Sequence, residues 1–259
     1  MSSATPVEVV VFGERVAGLL RSFLGDDLVG AWFVGSIALG GYVPGQSDLD
    51  IAVACEATLV ASMRAMLAEA LYDVTVECPA RGLELSVYRR TVASSVPDGA
   101  DFEINVNGGP RMERTVRVSA EGQPGFWYVL DRAIAHRHGV VITGPPGAEV
   151  FADAPRRLLL DSMRASMRWH RIHERATLYS VLNAARAWRF AEEDVLGSKL
   201  DGATWARARW HDPSLIDAAV DLRYGRPADL DADGVDALLD HVERALETAT
   251  PSRPDPSPR

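Results

Sequence analysis

Residues 35–54 read GSIALGGYVPGQSDLDIAVA, and this stretch decides how the first part of the chain folds. A Gly-Ser pair follows one apolar run, a glycine-rich loop comes next, and Asp48-Leu49-Asp50 opens a second apolar run. Because successive side chains of a strand point to opposite faces, Asp48 and Asp50 are expected on one face and the apolar residues on the other. The pattern predicts two carboxylates held side by side at the start of a buried strand.

This aspartate pair predicts a cation-binding site. Neighbouring carboxylates repel each other, and a hard divalent metal with oxygen ligands relieves that repulsion. We expect Mg²⁺ that carries a nucleoside triphosphate. Gly35 allows the backbone to approach a ligand closely, and a helix that starts at Ser36 would direct its amides and hydroxyl towards phosphates. The alternative is a strand, a solvated acidic turn and a second strand.

A third carboxylate is expected from the segment 83–88, Leu-Glu-Leu-Ser-Val-Tyr, which alternates strictly between apolar and other residues. The alternation places Glu84 on the face opposite the core. If this strand neighbours the aspartate strand, Glu84 comes within reach of both aspartates. Three carboxylates around a metal can take the proton of an acceptor hydroxyl and support its in-line attack on an α-phosphate. An exposed glutamate without a catalytic role is the alternative.

The composition is that of a globular protein: 259 residues, of which 47% are apolar and 24% are charged. The two cysteines, Cys55 and Cys78, have no metal-ligand spacing and are interpreted as core residues. Neither a secretory leader nor an apolar run of about 18 residues is evident, so we expect a cytoplasmic protein without a membrane partner.

The charge distribution bears on the substrate. A formal net charge of -9 argues against a nucleic-acid polymer and favours a cationic small molecule, although it could serve solubility alone. Of the 27 basic residues only Lys199 is a lysine. A compact ammonium suits a phosphate site in a way that arginine's planar fork does not, so Lys199 is a candidate phosphate ligand, with chance survival on the surface as the alternative.

Periodicity divides the chain into two domains and a tail. The first part alternates between helical and extended patterns. It begins with a helix that ends at Gly25 and whose predicted apolar face contains Val7, Val10, Val11, Leu19, Leu20 and Phe23. After Gly144-Pro145-Pro146-Gly147 the period becomes helical throughout. We therefore predict an α/β domain with a mixed sheet and flanking helices at 1–150, an all-α helical bundle at 151–249 and a disordered tail at 250–259.

The Gly-Ser…Ser-Asp-x-Asp arrangement resembles the nucleotidyltransferase superfamily, which includes polymerase-β-like enzymes and aminoglycoside adenylyltransferases. In the helical part, Leu182-Asn183-Ala184-Ala185-Arg186-Ala187-Trp188, Ser198-Lys199 and Trp205 resemble the C-terminal signature of the streptomycin/spectinomycin adenylyltransferases. The resemblance implies transfer of AMP from ATP, as co-substrate with Mg²⁺, to a hydroxyl of an aminoglycoside-type small molecule, releasing pyrophosphate. It implies the following roles: Glu84 as catalytic base; Asp48, Asp50 and Glu84 as metal ligands; Gly35, Ser36, Ser47, Arg186 and Lys199 as nucleotide ligands.

The acceptor side departs from the family pattern. Drug-modifying members hold their cationic substrate with an aspartate near the start of the arginine-bearing helix, where this chain has Ala176. Glu174 or Glu103 is expected to take that role, with Asn105 as a further acceptor contact. His170 and His173, three residues apart, are expected to be exposed or to face the substrate rather than to bind zinc. Two alternatives stay open: a biosynthetic metabolite or protein as acceptor, and a regulator that binds nucleotide without catalysis.

Overall fold

The alternating apolar segments of the first part form one six-stranded mixed sheet with helices around it. The structure is a computed structural model and describes residues 5–249. It divides into two compact units between Ala154 and Pro155. The limits 1–150 and 151–249 stay a prediction, and the predicted disordered tail, 250–259, lies outside the described residues.

The first unit has these helices and strands in chain order: α1 Val7–Leu24, β1 Leu28–Phe33, α2 Gly35–Ala38, β2 Leu49–Cys55, α3 Ala61–Val74, β3 Leu83–Arg89, α4 Arg90–Ala93, β4 Ile104–Gly109, β5 Met112–Arg117, α5 Gly125–His138 and β6 Val140–Thr143.

The strand order of the sheet is β5-β4-β3-β2-β1-β6. Only β2 and β3 run parallel to each other, and the other neighbouring pairs are antiparallel. A parallel pair requires a crossover connection, which α3 provides here. The strand that opens with the aspartates and the strand of Glu84 are thereby brought next to each other.

The hydrophobic core lies on one face of the sheet. It contains the alternate residues Leu49, Ile51 and Val53 of β2 and Leu83, Leu85 and Val87 of β3, packed with α1 and α3. The alternation predicted for both strands is confirmed. The predicted face of α1 is wrong in its first turns, where Val7, Val10 and Val11 are exposed and Val9 and Phe12 are buried. Further along the helix the prediction is confirmed: Leu20 is buried, and Leu19 and Phe23 are partly buried against the core.

The opposite face of the sheet is apolar at one end and polar at the other. Trp32 and Tyr88 each meet the ring of Phe151 edge to face, with ring centroids 5.2 Å and 6.4 Å apart. Arg132 of α5 lies over the Tyr88 ring at 5.3 Å and donates hydrogen bonds to the carbonyls of Pro97, Gly99 and Ala100. This packing leaves the first residues of β2 and β3 for the carboxylates.

The second unit is helical, as predicted. Its helices are α6 Arg156–His173, α7 Leu178–Glu193, α8 Lys199–Arg207, α9 Pro213–Arg223 and α10 Ala232–Ala249. Helix α7 is the central one and packs against the other four. No helix within the described residues is long and apolar enough to cross a bilayer.

Candidate active site

Asp50 and Glu84 lie side by side on neighbouring parallel strands. The register pairs Asp50 with Glu84 directly, one residue after the pair of buried leucines Leu49 and Leu83. Since both leucines belong to the core, both carboxylates point to the opposite face. The expectation that Glu84 would come next to the aspartate strand is confirmed.

Gly35 and Ser36 lie against this carboxylate pair. Gly35 has a φ of +51°, and a Cβ added to it would overlap the carboxylate of Asp50. The backbone N–H of Val34 donates to the carbonyl of Asp50 at 2.9 Å, which fixes the two segments together. The hydroxyl of Ser36 is shielded from solvent and has no hydrogen-bond partner among the described residues. A buried hydroxyl in that state is suited to a ligand oxygen.

The carboxylate of Asp48 forms a salt bridge with an arginine. Its Oδ2 lies 2.9 Å from a guanidinium nitrogen of Arg81, whose backbone N–H donates to the carbonyl of Ser47 at 3.0 Å. Within residues 5–249 no three His, Cys, Asp or Glu side chains converge as a metal-binding group. Asp48 is paired with Arg81 in this structure, and the joint role of Asp48, Asp50 and Glu84 as metal ligands stays a prediction.

The Ser47 side chain stabilises the loop in which it lies. Its side chain is fully buried, and its hydroxyl accepts a hydrogen bond of 2.9 Å from the backbone N–H of Val43. Its role as a nucleotide ligand stays a prediction.

The strand β4 continues the polar face beyond Glu84. Asn107 is the register partner of Glu84, and Asn105 is the partner of Ser86. The Asn105 amide donates to Ser86 Oγ at 3.1 Å and to Asn107 Oδ1 at 3.3 Å, and its own oxygen accepts from Arg117 at 3.1 Å. Asn105 is buried and fully engaged, so it orients Asn107 rather than presenting a free amide to an acceptor.

Glu103 is held by two arginines. One of its oxygens pairs with Arg64 at 3.0 Å and accepts from the backbone N–H of Leu59, and the other pairs with Arg89 at 3.0 Å. Its side chain is 7% exposed. These contacts make Glu103 a structural carboxylate that joins α3 to the end of β3, which does not support its predicted role in acceptor binding.

Tyr128 of α5 is a buried phenol whose pKa is affected by the charge of Glu84. Burial raises the pKa of this tyrosine to about 12, while the charge of Arg117 lowers it and the charges of Asp131 and Glu84 raise it. The hydroxyl therefore stays protonated at neutral pH and can donate a hydrogen bond beside the carboxylate pair.

In the second unit, Arg186 and Lys199 are brought close by the packing of α8 on α7. A Cβ on Gly202 of α8 would lie 2.6 Å from the Cα of Arg186, so the helices approach closely at this point. Lys199 is the first residue of α8, and its ammonium lies 5.1 Å from the centre of the Tyr179 ring. Tyr179 precedes Arg186 by two helical turns and shares its face. The two basic residues thus belong to one surface of this unit.

Glu174 ends α6 and contacts His170 at 2.8 Å. His170 is only 4% exposed, so the expectation of an exposed or substrate-facing histidine is wrong for it. His173 is exposed and stacks on Trp169 with ring centroids 4.8 Å apart.

Several of these residues were not predicted as site residues. Asn107 comes opposite Glu84 through the register of β3 and β4, and Tyr128 is carried by α5. Arg81 gives no periodic signal, since it lies in the turn before β3.

Comparison with known proteins agrees with these observations. Residues 149–249 match the family model described as aminoglycoside adenylyltransferase, C-terminal domain. No curated protein matches the chain. The fold is similar to the crystal structure of spectinomycin adenyltransferase AAD(9) from Enterococcus faecialis with ATP and spectinomycin, with a TM-score of 0.68 and 16% identity over 92% of this chain and 98% of that chain. The second part of the chain therefore matches the C-terminal domain of aminoglycoside adenylyltransferases, and the chain has a fold similar to that of AAD(9).

Proposed function

We propose that the protein transfers AMP from ATP to a hydroxyl of an aminoglycoside-type small molecule and releases pyrophosphate in a Mg²⁺-dependent reaction. The observation that carries the proposal is the in-register pair Asp50 and Glu84 beside the Gly35-Ser36 turn. The family match to residues 149–249 supports the same reaction class, and the similar AAD(9) structure was determined with ATP and spectinomycin.

The donor atoms around Asp50 fit a hard divalent cation. Asp50 and Glu84 supply carboxylate oxygens, Gly35 keeps the space over Asp50 clear of a Cβ, and the Ser36 hydroxyl lacks a partner among the described residues. In our proposal Asp50 and Glu84 hold Mg²⁺, and Asp48 joins them by exchanging Arg81 for the metal. When bound, Mg²⁺ would neutralise phosphate charge and lower the pKa of a hydroxyl close to it.

Glu84 acts as the general base in this proposal. One of its carboxylate oxygens takes the proton of the acceptor hydroxyl while the hydroxyl oxygen forms a bond to the α-phosphorus of ATP. The bond between the α-phosphorus and its bridging oxygen to the β-phosphate breaks, and pyrophosphate leaves. Asn107 and the neutral Tyr128 lie beside Glu84 and would orient the hydroxyl before attack.

Arg186 and Lys199 bind the phosphates in our proposal. Each presents a permanent positive charge at neutral pH, and Arg186 can contact two phosphate oxygens at once. The net charge of -9 favours a cationic acceptor over a nucleic-acid polymer. An acceptor contact by Glu174 and a nucleotide contact by Ser47 remain predictions, whereas the hydrogen bonds of Asn105 and the two ion pairs of Glu103 argue against acceptor contacts by those residues.

The test is pyrophosphate release with ATP and Mg²⁺ across a panel that includes streptomycin, spectinomycin and other aminoglycosides, with mass spectrometry of each product. We expect pyrophosphate and a product heavier by one AMP for at least one member. Binding of ATP without transfer to any of them would contradict the proposed acceptor class, and AMP found on the protein or on a metabolite would replace it.

A further inference from the structure

We propose that Glu174, His170 and Asn183 form a hydrogen-bonded relay that positions the guanidinium of Arg186 for the ATP phosphates. The relay rests on the proposed function of Arg186 as a phosphate ligand, and it assigns positioning roles to two buried residues, His170 and Asn183.

The relay is continuous through four side chains. Arg186 lies 3.0 Å from Asn183 Oδ1, Asn183 Nδ2 lies 2.9 Å from His170 Nε2, and His170 Nδ1 lies 2.8 Å from Glu174 Oε2. All three distances are those of good hydrogen bonds. The spacing follows from the helices, since Asn183 and Arg186 are three residues apart on α7 and His170 and Glu174 are four apart at the end of α6.

The donor and acceptor of each hydrogen bond in the relay determine those of the next one. Arginine only donates hydrogen bonds, so the amide oxygen of Asn183 must face Arg186 and its NH₂ group must face His170. Nε2 of His170 must then accept, and the proton of the neutral ring sits on Nδ1, where it donates to Glu174. One arrangement of protons satisfies every group, and reversing the Asn183 amide would set donor against donor at both of its contacts.

Burial gives the relay its stiffness. His170 is 4% exposed and Asn183 is 7% exposed, so neither can replace a lost partner with bulk water. A capping box between Thr177 and Ser180 begins α7 directly after Glu174 and fixes the turn that joins the two helices. The guanidinium of Arg186 is consequently held in one orientation before a ligand arrives, which reduces the entropy that binding must remove.

Glu174 gains a second role in this proposal. Its Oε2 accepts from His170, so the carboxylate that is predicted to bind a cationic acceptor also orients the relay. Through the relay, Glu174 contributes to nucleotide binding by helping to orient Arg186.

The first test is the ATP affinity of His170→Phe, Asn183→Leu and the matched control His173→Phe, measured by calorimetry with Mg²⁺. The control removes an exposed ring of the same helix. We expect Asn183→Leu and His170→Phe to weaken ATP binding about tenfold, the order of a hydrogen bond to a charged group, and His173→Phe to leave it unchanged.

A double-mutant cycle separates positioning from a general structural role. In an Arg186→Met background, His170→Phe and Asn183→Leu should have no further effect on ATP affinity. Equal losses in both backgrounds, or no loss in either, would overturn the relay. Turnover measured on the same variants should show a raised KM for ATP with the KM for the acceptor unchanged.

The tautomer provides a readout that needs no variant. Nitrogen NMR of the wild-type histidines should show His170 with its proton on Nδ1, and a proton on Nε2 would overturn the relay. ATP binding without AMP transfer would contradict the proposed function alone, whereas a wild-type protein that binds no ATP would overturn both proposals.

Discussion

Gly35 packs directly on the carboxylate of Asp50, so closely that a Cβ on the glycine would overlap Asp50 Oδ2. The positive φ of Gly35, +51°, adds a backbone reason for glycine at the same position. The turn after β1 therefore packs against Asp50 of β2. This contact joins the segment of the Gly-Ser motif to the segment of the Asp-x-Asp motif.

Gly35→Ala should abolish transfer with a smaller effect on folding. The added methyl group would force Asp50 or the backbone to move, and a catalytic carboxylate tolerates little displacement. Gly18→Ala is the matched control, because Gly18 lies in α1 with no atom within 4 Å of an added Cβ. That control should gain about 0.5–1 kcal/mol of stability and keep full activity. Full activity of Gly35→Ala would show that the contact with Asp50 is unimportant.

The close contact between α7 and α8 predicts that replacing Gly202 lowers the stability of the protein. Gly202→Ala should destabilise the protein by about 1–3 kcal/mol, because its Cβ would meet the Cα and N of Arg186 at 2.6 Å and 2.7 Å. Gly197→Ala is the control, with its nearest neighbour at an ordinary 3.5 Å. Urea unfolding of both variants measures the difference. The prediction fails if the two variants unfold at the same urea concentration.

Glu103→Gln should cost stability rather than catalysis. It leaves Arg64 and Arg89 without their shared carboxylate, and we expect a loss of about 2 kcal/mol, below the cost of breaking a fully buried pair because both arginines reach solvent. Glu69→Gln, which breaks an exposed pair with Arg114, should cost less than about 1 kcal/mol. The KM for the acceptor should be unchanged in folded Glu103→Gln. A large rise in that KM would return Glu103 to the acceptor site.

The buried thiols predict an alkaline limit to stability. Burial raises the pKa of Cys78 from 9.0 to about 11 and that of Cys55 from 9.0 to about 12. Because the folded pKa lies above the unfolded one, the stabilisation is complete below pH 9 and is lost as the pH rises through 11 to 12. Urea unfolding from pH 8 to 11 should show the decline, and replacing both cysteines by alanine should reduce its slope between pH 9 and 10, below the ordinary pKa of the buried tyrosines. Rapid thiol labelling of the native protein at pH 8 would contradict this burial.

The sequence predicted the fold class and the faces of the carboxylates because both depend on local periodicity. Leu49, Ile51 and Val53 on one side fix Asp50 on the other, and the same logic places Glu84. That Asp50 and Glu84 lie side by side depends on β2 and β3 being neighbours in the sheet, which alternation alone does not indicate. The inward face of the first turns of α1 was not predictable, since the run Val-Glu-Val-Val-Val at 7–11 offers valines in every direction and only docking on the sheet selects Val9.

The contacts that the sequence did not indicate are long-range polar ones. The pairing of Arg81 with Asp48 depends on where the turn before β3 lies, and the burial of His170 depends on how α7 packs on α6. Histidine spacing indicated a shared helix face but not what covers it. Side chains that pair across elements have no period in the chain, so their partners emerge only from the fold.

The most direct test of the central claim compares AMP transfer by the wild type with that of Asp50→Asn and Glu84→Gln, with exposed Asp73→Asn as the matched control. The readout is the rate of pyrophosphate release with ATP, Mg²⁺ and the acceptor that the panel identifies, on variants with wild-type circular dichroism. The account predicts that both site variants lose at least about a hundredfold in rate, as expected when a positioned acid-base or metal ligand is removed, and that Asp73→Asn retains its activity. Near-wild-type transfer by either site variant would contradict the assignment of the reaction to the Asp50 and Glu84 pair.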